Sequence, residues 1–520
     1  MPLKTRFFAS AFLFLTTLTI FSANTWYVAT NGLDSNAGTI SQPFATIMHA
    51  QSAASSGDTV YLRGGTYFLT VLNITSTNKT GPYAIVNNIT KNGISYLAYS
   101  NELPVFDFTG VNIATNRITA FLAAANNCVF KGFDVVGVQV TIPVVHTQSE
   151  CFRVTGNNNL FEQLRMHDGR GIGWYLTDGA NNLVLNCDAY NNRGLDGGSI
   201  GNIDGFGCHP GHTSGTGNVI SGCRSWFNSD DGYDCINAFA VVTFTNCWSM
   251  YNGYYTNFTS TGGDANGIKA GGYGDALGPV PNPVPHHIVE YCMTVSNRAN
   301  GFYANHHASG QVWLNNTAYR NNVNYDMICN IGNTNTGDVP GFSHVMKNNL
   351  GFSAKSSEVS ELGNAITNDI SYNYFTLPVT VSSADFQGFD ASQLTAPRQT
   401  NGALPYVAFA QLVGTSDLVD AGTNDGFAFV GTAPDLGAFE YGAHPLSDTA
   451  MVQGGTNLIF SGSNGPGGGT NYLVVTTNLS LPILQWTRVQ TNSIDLTGDY
   501  SATNAITLGN DQLYYRFALP

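Results

Sequence analysis

Positive charge is the scarcest thing in this chain: 20 lysines and arginines stand against 34 aspartates and glutamates in 520 residues, a net charge of −14. So acidic a protein offers no basic face to a phosphate backbone, which excludes nucleic acid as a partner. Charge of either sign is sparse, at 10% of residues. With so few Glu, Lys and Arg, the chain lacks the residues that favour exposed helix. Long apolar runs are missing after the N-terminus, so no membrane span is expected. What is plentiful is glycine, 58 residues, with 12% aromatics, the composition of a β-rich protein with many turns.

The N-terminus reads "MPLKTRFFASAFLFLTTLTIFSANTWYV". Lys4 and Arg6 precede an apolar run from Phe7 to Phe21, with small residues near Ala23. That is the layout of a secretory signal peptide over 1–23, and it predicts a secreted protein, extracellular or periplasmic. Nine cysteines in an exported chain suggest disulfides, but the number is odd and the repeats below give most of them another role.

Five segments share one pattern: "NLVLNCDAYNN", "NVISGCRSWFNS", "VTFTNCWSMYNG", "HIVEYCMTVSNR" and "VWLNNTAYRNN". Aligned, they put Cys187, Cys223, Cys247, Cys292 and Asn316 in one column and Asn192, Asn228, Asn252, Asn297 and Asn321 in another. A unit near 24 residues with insertions predicts an all-β parallel β-helix. Its coils stack at about 4.8 Å, so asparagines at turns bond both neighbouring rungs. The cysteines pack inward as small apolar residues.

A second alignment in the same coils reads "DGFGC" from Asp204, "DGYDC" from Asp231, "NGIKA" from Asn266 and "NGFYA" from Asn300. Period-two alternation sends Phe206, Tyr233, Ile268 and Phe302 inward, with Cys208, Cys235, Ala270 and Ala304 beside them. The outward column is then Gly207, Asp234, Lys269 and Tyr303, which sets Lys269 one rung above Asp234. Insertions at 193–203 and 253–265 would wall a groove floored by Asp230, Asp231 and Asp234. A short helix near 43–54 is expected to cap the open end of the solenoid. The β-helix domain is read as 24–442, followed by a glycine-rich linker, "SGSNGPGGGTN", and a small appended β module within 446–520.

Asp204, Asp230, Asp231, Asp234 and Lys269 are the candidate constellation. Four carboxylates on adjacent coils suit a hard cation such as Ca²⁺, whereas zinc would want His or Cys ligands. A solvated acidic patch with Lys269 as an ordinary ion-pair partner is the plain alternative. The order Asp-Gly-Phe, Ser-Asp-Asp-Gly-Tyr-Asp, Asn-Gly-Ile-Lys resembles the signature of polysaccharide lyase family 9, which includes pectate lyases. The similarity covers most of 25–442, including "DSNAGT…QPFATI" and "NRANGFYANHH". It implies a right-handed winding, Ca²⁺ held by Asp204, Asp230, Asp231 and Asp234, and Lys269 as catalytic base. The implied activity is β-elimination on an acidic polysaccharide, polygalacturonate first and rhamnogalacturonan or another uronate polymer next.

Four further residues are weaker candidates for substrate contact. Arg193 and Arg298 follow the asparagine column as planar forks for carboxylates, His209 lies near Asp204 in sequence, and Tyr303 sits above Lys269. A surface role is open for each. Two other functions compete: a glycoside hydrolase using paired carboxylates, and a non-catalytic carbohydrate-binding or adhesive β-helix. A monomer is expected.

Overall fold

The computed structural model describes residues 23–518 apart from 79–82, 141, 143–147, 195–201, 258–259, 261, 264, 275–278, 335, 428, 443–446, 455–456, 464–469, 477–485, 495–498 and 506–513. The expected signal peptide lies almost wholly outside the described residues. From Thr25 the chain winds through three sheets of 12, 10 and 11 strands, each coil giving one strand to each sheet in turn. All pairings in the first and second sheets are parallel, and the third departs only where Ser76–Asn78 runs antiparallel to Tyr83–Ile89. That is a parallel β-helix. No described helix is long and apolar enough to cross a membrane.

Short turns hold the coils in register. The turn from first to second sheet begins with a residue at positive φ, among them Asn186, Gly222, Asn246 and Asn315, types that tolerate the left-handed region. The next residue is the cysteine column, fully buried as expected. The Cys187 amide donates to Cys223 Sγ at 3.3 Å, and the Cys292 amide to Asn316 Oδ1 at 2.9 Å. All nine cysteines are free and buried, and none is in a disulfide.

At the turn into the third sheet stands the asparagine column. Asn228 Nδ2 donates to Ala189 O at 3.0 Å and to Asn252 Oδ1 at 3.1 Å, while Asn228 Oδ1 accepts the Asn192 amide at 3.2 Å. The same pattern runs on through Asn297 to Asn321. A third ladder, invisible in the aligned segments, precedes the first sheet. Asn159, Asn182 and Asn218 begin it, and His287 and His344 continue it with Nδ1 accepting the amides of Val242 at 3.2 Å and Gln311 at 3.0 Å.

The short helix is Ile47–Ala53, capped by Thr46 and packing Ile47 and Ala50 into the first coil. At the other end the coils stop earlier than the sequence pattern suggests. The last β-helix strand is Asp369–Ser371. Residues 375–441 contain no strand among the described residues and run back over the outer face of the second sheet. There Phe386, Leu394, Phe409, Leu412 and Leu418 cover Trp226, Trp248, Met250, Met293 and Leu350. Arg398 of this segment bonds Asp188 at 2.6 Å, beside the Arg224–Asp188 pair at 2.8 Å. Two three-stranded antiparallel sheets with their own small core make up the described part of 447–518. The stretch expected as a linker is the connection between two of their strands, Asn457–Ser463 and Thr470–Thr476.

Two stability predictions follow from the ladders. Asn252→Ala takes the acceptor from the buried Asn228 amide and a donor from the Ser225 carbonyl, and should cost about 2–3 kcal/mol in urea unfolding. His344 and His307 are buried neutral, burial pushing both down to about 4 from an ordinary 6.5. Their contribution is therefore complete above pH 6.5 and is lost as pH falls towards 4. The urea midpoint should drop across that window, and His344→Asn, which keeps an acceptor, should flatten the drop.

Candidate functional site

The third sheet carries the chemistry. Its strands Phe206–Cys208, Tyr233–Asp234, Ile268–Lys269 and Asn300–Tyr303 pair Phe206 with Tyr233, Ile268 and Phe302 in succession. All four are fully buried, as are Cys208, Cys235, Ala270 and Ala304. The same register pairs Gly207 with Asp234, Asp234 with Lys269 and Lys269 with Tyr303. The outward column is thus the one the sequence predicts.

Ahead of these strands runs another side-chain ladder. Asp204 Oδ1 accepts the Asp231 amide at 3.2 Å. Asp231 Oδ1 accepts the Asn266 amide at 2.7 Å and Asn266 Nδ2 at 2.8 Å. Asn266 Oδ1 accepts the Asn300 amide at 3.1 Å. The ladder needs only an acceptor, which asparagine supplies without charge at the next rung. Burying aspartate instead at two rungs costs solvation energy, so the ladder alone does not account for the negative charge.

Asp204, Asp231 and Asp234 are buried and each offers a carboxylate oxygen within 4.8 Å of the others. They are the one such group of potential ligands found among the described residues. Asp230 is half-buried, with its amide donating to Ile203 O at 3.1 Å. It stands outside the tight triad but adds to the field on Asp204. Lys269 Nζ lies 2.9 Å from Asp231 Oδ2 and 3.1 Å from Asp234 Oδ2, with 18% of its side chain exposed.

The charges do not balance. Burial, then the neighbouring Asp230, Asp234 and Asp231, push Asp204 well above the usual carboxylate range. Burial raises Asp231 too, with Lys269 opposing it. Burial would lower Lys269, but Asp231, Asp234, Asp230 and Asp204 together drive it well above its ordinary value. One ammonium faces four carboxyl groups, an excess of acidic oxygens that could hold a further cation. The converging donors are all carboxylate oxygens and the neighbouring thiols face the core, which fits Ca²⁺ rather than zinc.

The weaker candidates divide. His209 leans against Tyr175 at a ring-centroid distance of 5.0 Å and feels the charge of Asp234 and Lys269. Its Nε2 is buried with no protein hydrogen-bond partner. Tyr303 is half-buried one rung above Lys269 and packs edge-on against His306. Arg193 donates to the Tyr254 carbonyl and stacks 3.7 Å over Tyr255, and Arg298 donates to the Gly263 carbonyl. Both arginines therefore brace the loop expected as one groove wall. Most of the other wall, 195–201, lies outside the described residues. Sequence reasoning gave no role to Asn266, whose place in the Asp204–Asp231 column was the available signal.

Residues 26–374 match the family described as Pel9A-like, right handed beta helix region. Pectate lyase L of Dickeya chrysanthemi is 33% identical over 422 residues, covering 80% of this chain and 90% of that protein. Among solved structures, a rhamnogalacturonan lyase is 42% identical with a TM-score of 0.72, covering 75% of this chain and 97% of its own. Pectate lyase Pel9A is 29% identical with a TM-score of 0.64, covering 81% and 97%. With three parallel sheets, a carboxylate cluster on the third and this likeness along most of its length, the chain belongs to the Pel9A-like right-handed β-helix family of polysaccharide lyases.

Proposed function

We propose that the chain is an exported, calcium-dependent lyase that cleaves a uronic-acid polymer by β-elimination. The observation that carries the reading is Lys269, in register above Asp234 and ion-paired into a buried carboxylate triad. A calcium ion held by Asp204, Asp231 and Asp234, with Asp230 beside them, would supply positive charge against the substrate's C6 carboxylate and make its C5 proton more acidic. The same bound cation would offset the carboxylates that hold Lys269 protonated, so that Lys269, as the free amine, would take that proton. The C5–H electrons form the C4–C5 double bond, and the C4–O4 bond breaks with its electron pair going to O4, which takes a proton from water as the sugar leaves. Asn266 fixes Asp231 through two hydrogen bonds to one oxygen, leaving the other directed to the cation site and Lys269.

The rhamnogalacturonan lyase, 42% identical, supports a second substrate reading, a galacturonate–rhamnose backbone, alongside polygalacturonate. The elimination step is the same in both.

Ultraviolet absorbance of the new double bond tests the reaction on both polymers. It should rise with calcium, vanish with chelator, and fall about 10²–10⁴-fold in Lys269→Ala. New reducing ends without absorbance would make the protein a hydrolase, and binding without either signal an adhesive β-helix. Metal binding has its own readout. Calcium at about 100 times its Kd should stabilise the fold by about 2.7 kcal/mol. Asp231→Asn, which keeps the ladder acceptor, should abolish most of that gain.

A further inference from the structure

The metal-site coil has a counterpart three rungs nearer the N-terminus. Going down the outward column from Asp234, the register passes Gly207 and Tyr175 and arrives at Arg153. Within their coils, Glu150 and Arg153 hold the same spacing as Asp231 and Asp234. The buried acid is kept, but the outward position carries a guanidinium in place of a carboxylate.

Glu150 is fully buried, accepting Thr119 Oγ1 at 2.7 Å and Arg153 Nη1 at 3.1 Å. Arg153 keeps 26% of its side chain exposed and lies 4.6 Å over the Tyr83 ring. Arg117 joins the cluster through Tyr83 Oη at 3.0 Å, and its Nε is buried without a protein partner. Two guanidiniums thus face one carboxylate, an excess of positive charge in a chain of net charge −14. Neutralising Glu150 needs only one of them.

The floor between Arg153 and the aspartates is also shaped. A Cβ on Gly207 would meet Tyr175 Cδ2 at 2.6 Å and His209 Nε2 at 2.9 Å. Glycine there lets the two rings close over the column, and the unpartnered His209 Nε2 lies beside it. The Tyr175 and His209 rings, inclined at 56° with centroids 5.0 Å apart, offer an aromatic surface of the kind that packs against a sugar.

We propose that Arg153 forms a second anionic subsite, binding the carboxylate of a uronate unit farther along the polymer whose cleavage was inferred above. Tyr175 and His209 floor the sugars in between. At about 4.8 Å per rung, Arg153 stands roughly 14 Å from Asp234, so only an oligomer of several sugars reaches both.

The test compares a trimer and an octamer of whichever uronate backbone the wild type cleaves. The double variant Glu150→Gln with Arg153→Gln removes the Arg153 cation together with the carboxylate it is paired with, leaving Arg117 on Tyr83 Oη. Its KM for the octamer should rise about tenfold, the loss of one charge-assisted contact, while its KM for the trimer stays within twofold. Arg153→Lys, which keeps the charge but loses the planar fork, should raise the octamer KM less. An octamer KM unchanged in both variants, or a KM raised equally for both lengths, overturns the subsite. Should the double variant not fold, an unchanged octamer KM in Arg153→Lys alone overturns it. A wild type that produces no double bond from either backbone overturns the lyase reading, and this inference with it.

Discussion

Everything in this molecule hangs on a side-chain acceptor on one coil taking a backbone amide from its neighbour. At the corners of a β-helix the strand pairing lapses, and buried amides there need partners. Asparagine columns answer at two corners, with Cys187 and its equivalents answering at the third. Because each acceptor fits only the coil beside it, the ladders fix the register, and a slip of one residue would turn every strand inside out. The closeness of Asp234 and Lys269 is a product of that register, since the two are far apart in sequence.

The site borrows the same device. Asp204 and Asp231 do the work of ladder asparagines with one oxygen and keep the other for something else. A chain so poor in charge has concentrated four carboxylates and a lysine where its scaffold already holds side chains in place. The low background charge leaves little to screen or compete with that field.

Much of this was legible in the residues. The cysteine and asparagine columns, the inward aromatics and the outward Gly207–Asp234–Lys269–Tyr303 series follow from spacing alone, because stacking in register converts sequence repeats directly into contacts. The third ladder was hidden because His287 and His344 replace asparagine, and acceptance by a ring nitrogen does not look like an amide repeat. The end of the coils at Ser371, inside the 24–442 expected for the β-helix domain, is not legible because turn-rich covering chain has no period to mark where they stop. The placement of Arg193 and Arg298 against loop carbonyls depends on an insertion whose path no repeat dictates.

That covering segment sets an order of events. Trp226, Trp248, Met250 and Leu350 belong to coils synthesised before the residues that shield them. While the chain emerges, the second sheet presents a broad greasy strip to whatever is nearby. A version of the protein shortened to its coils alone would carry that strip permanently.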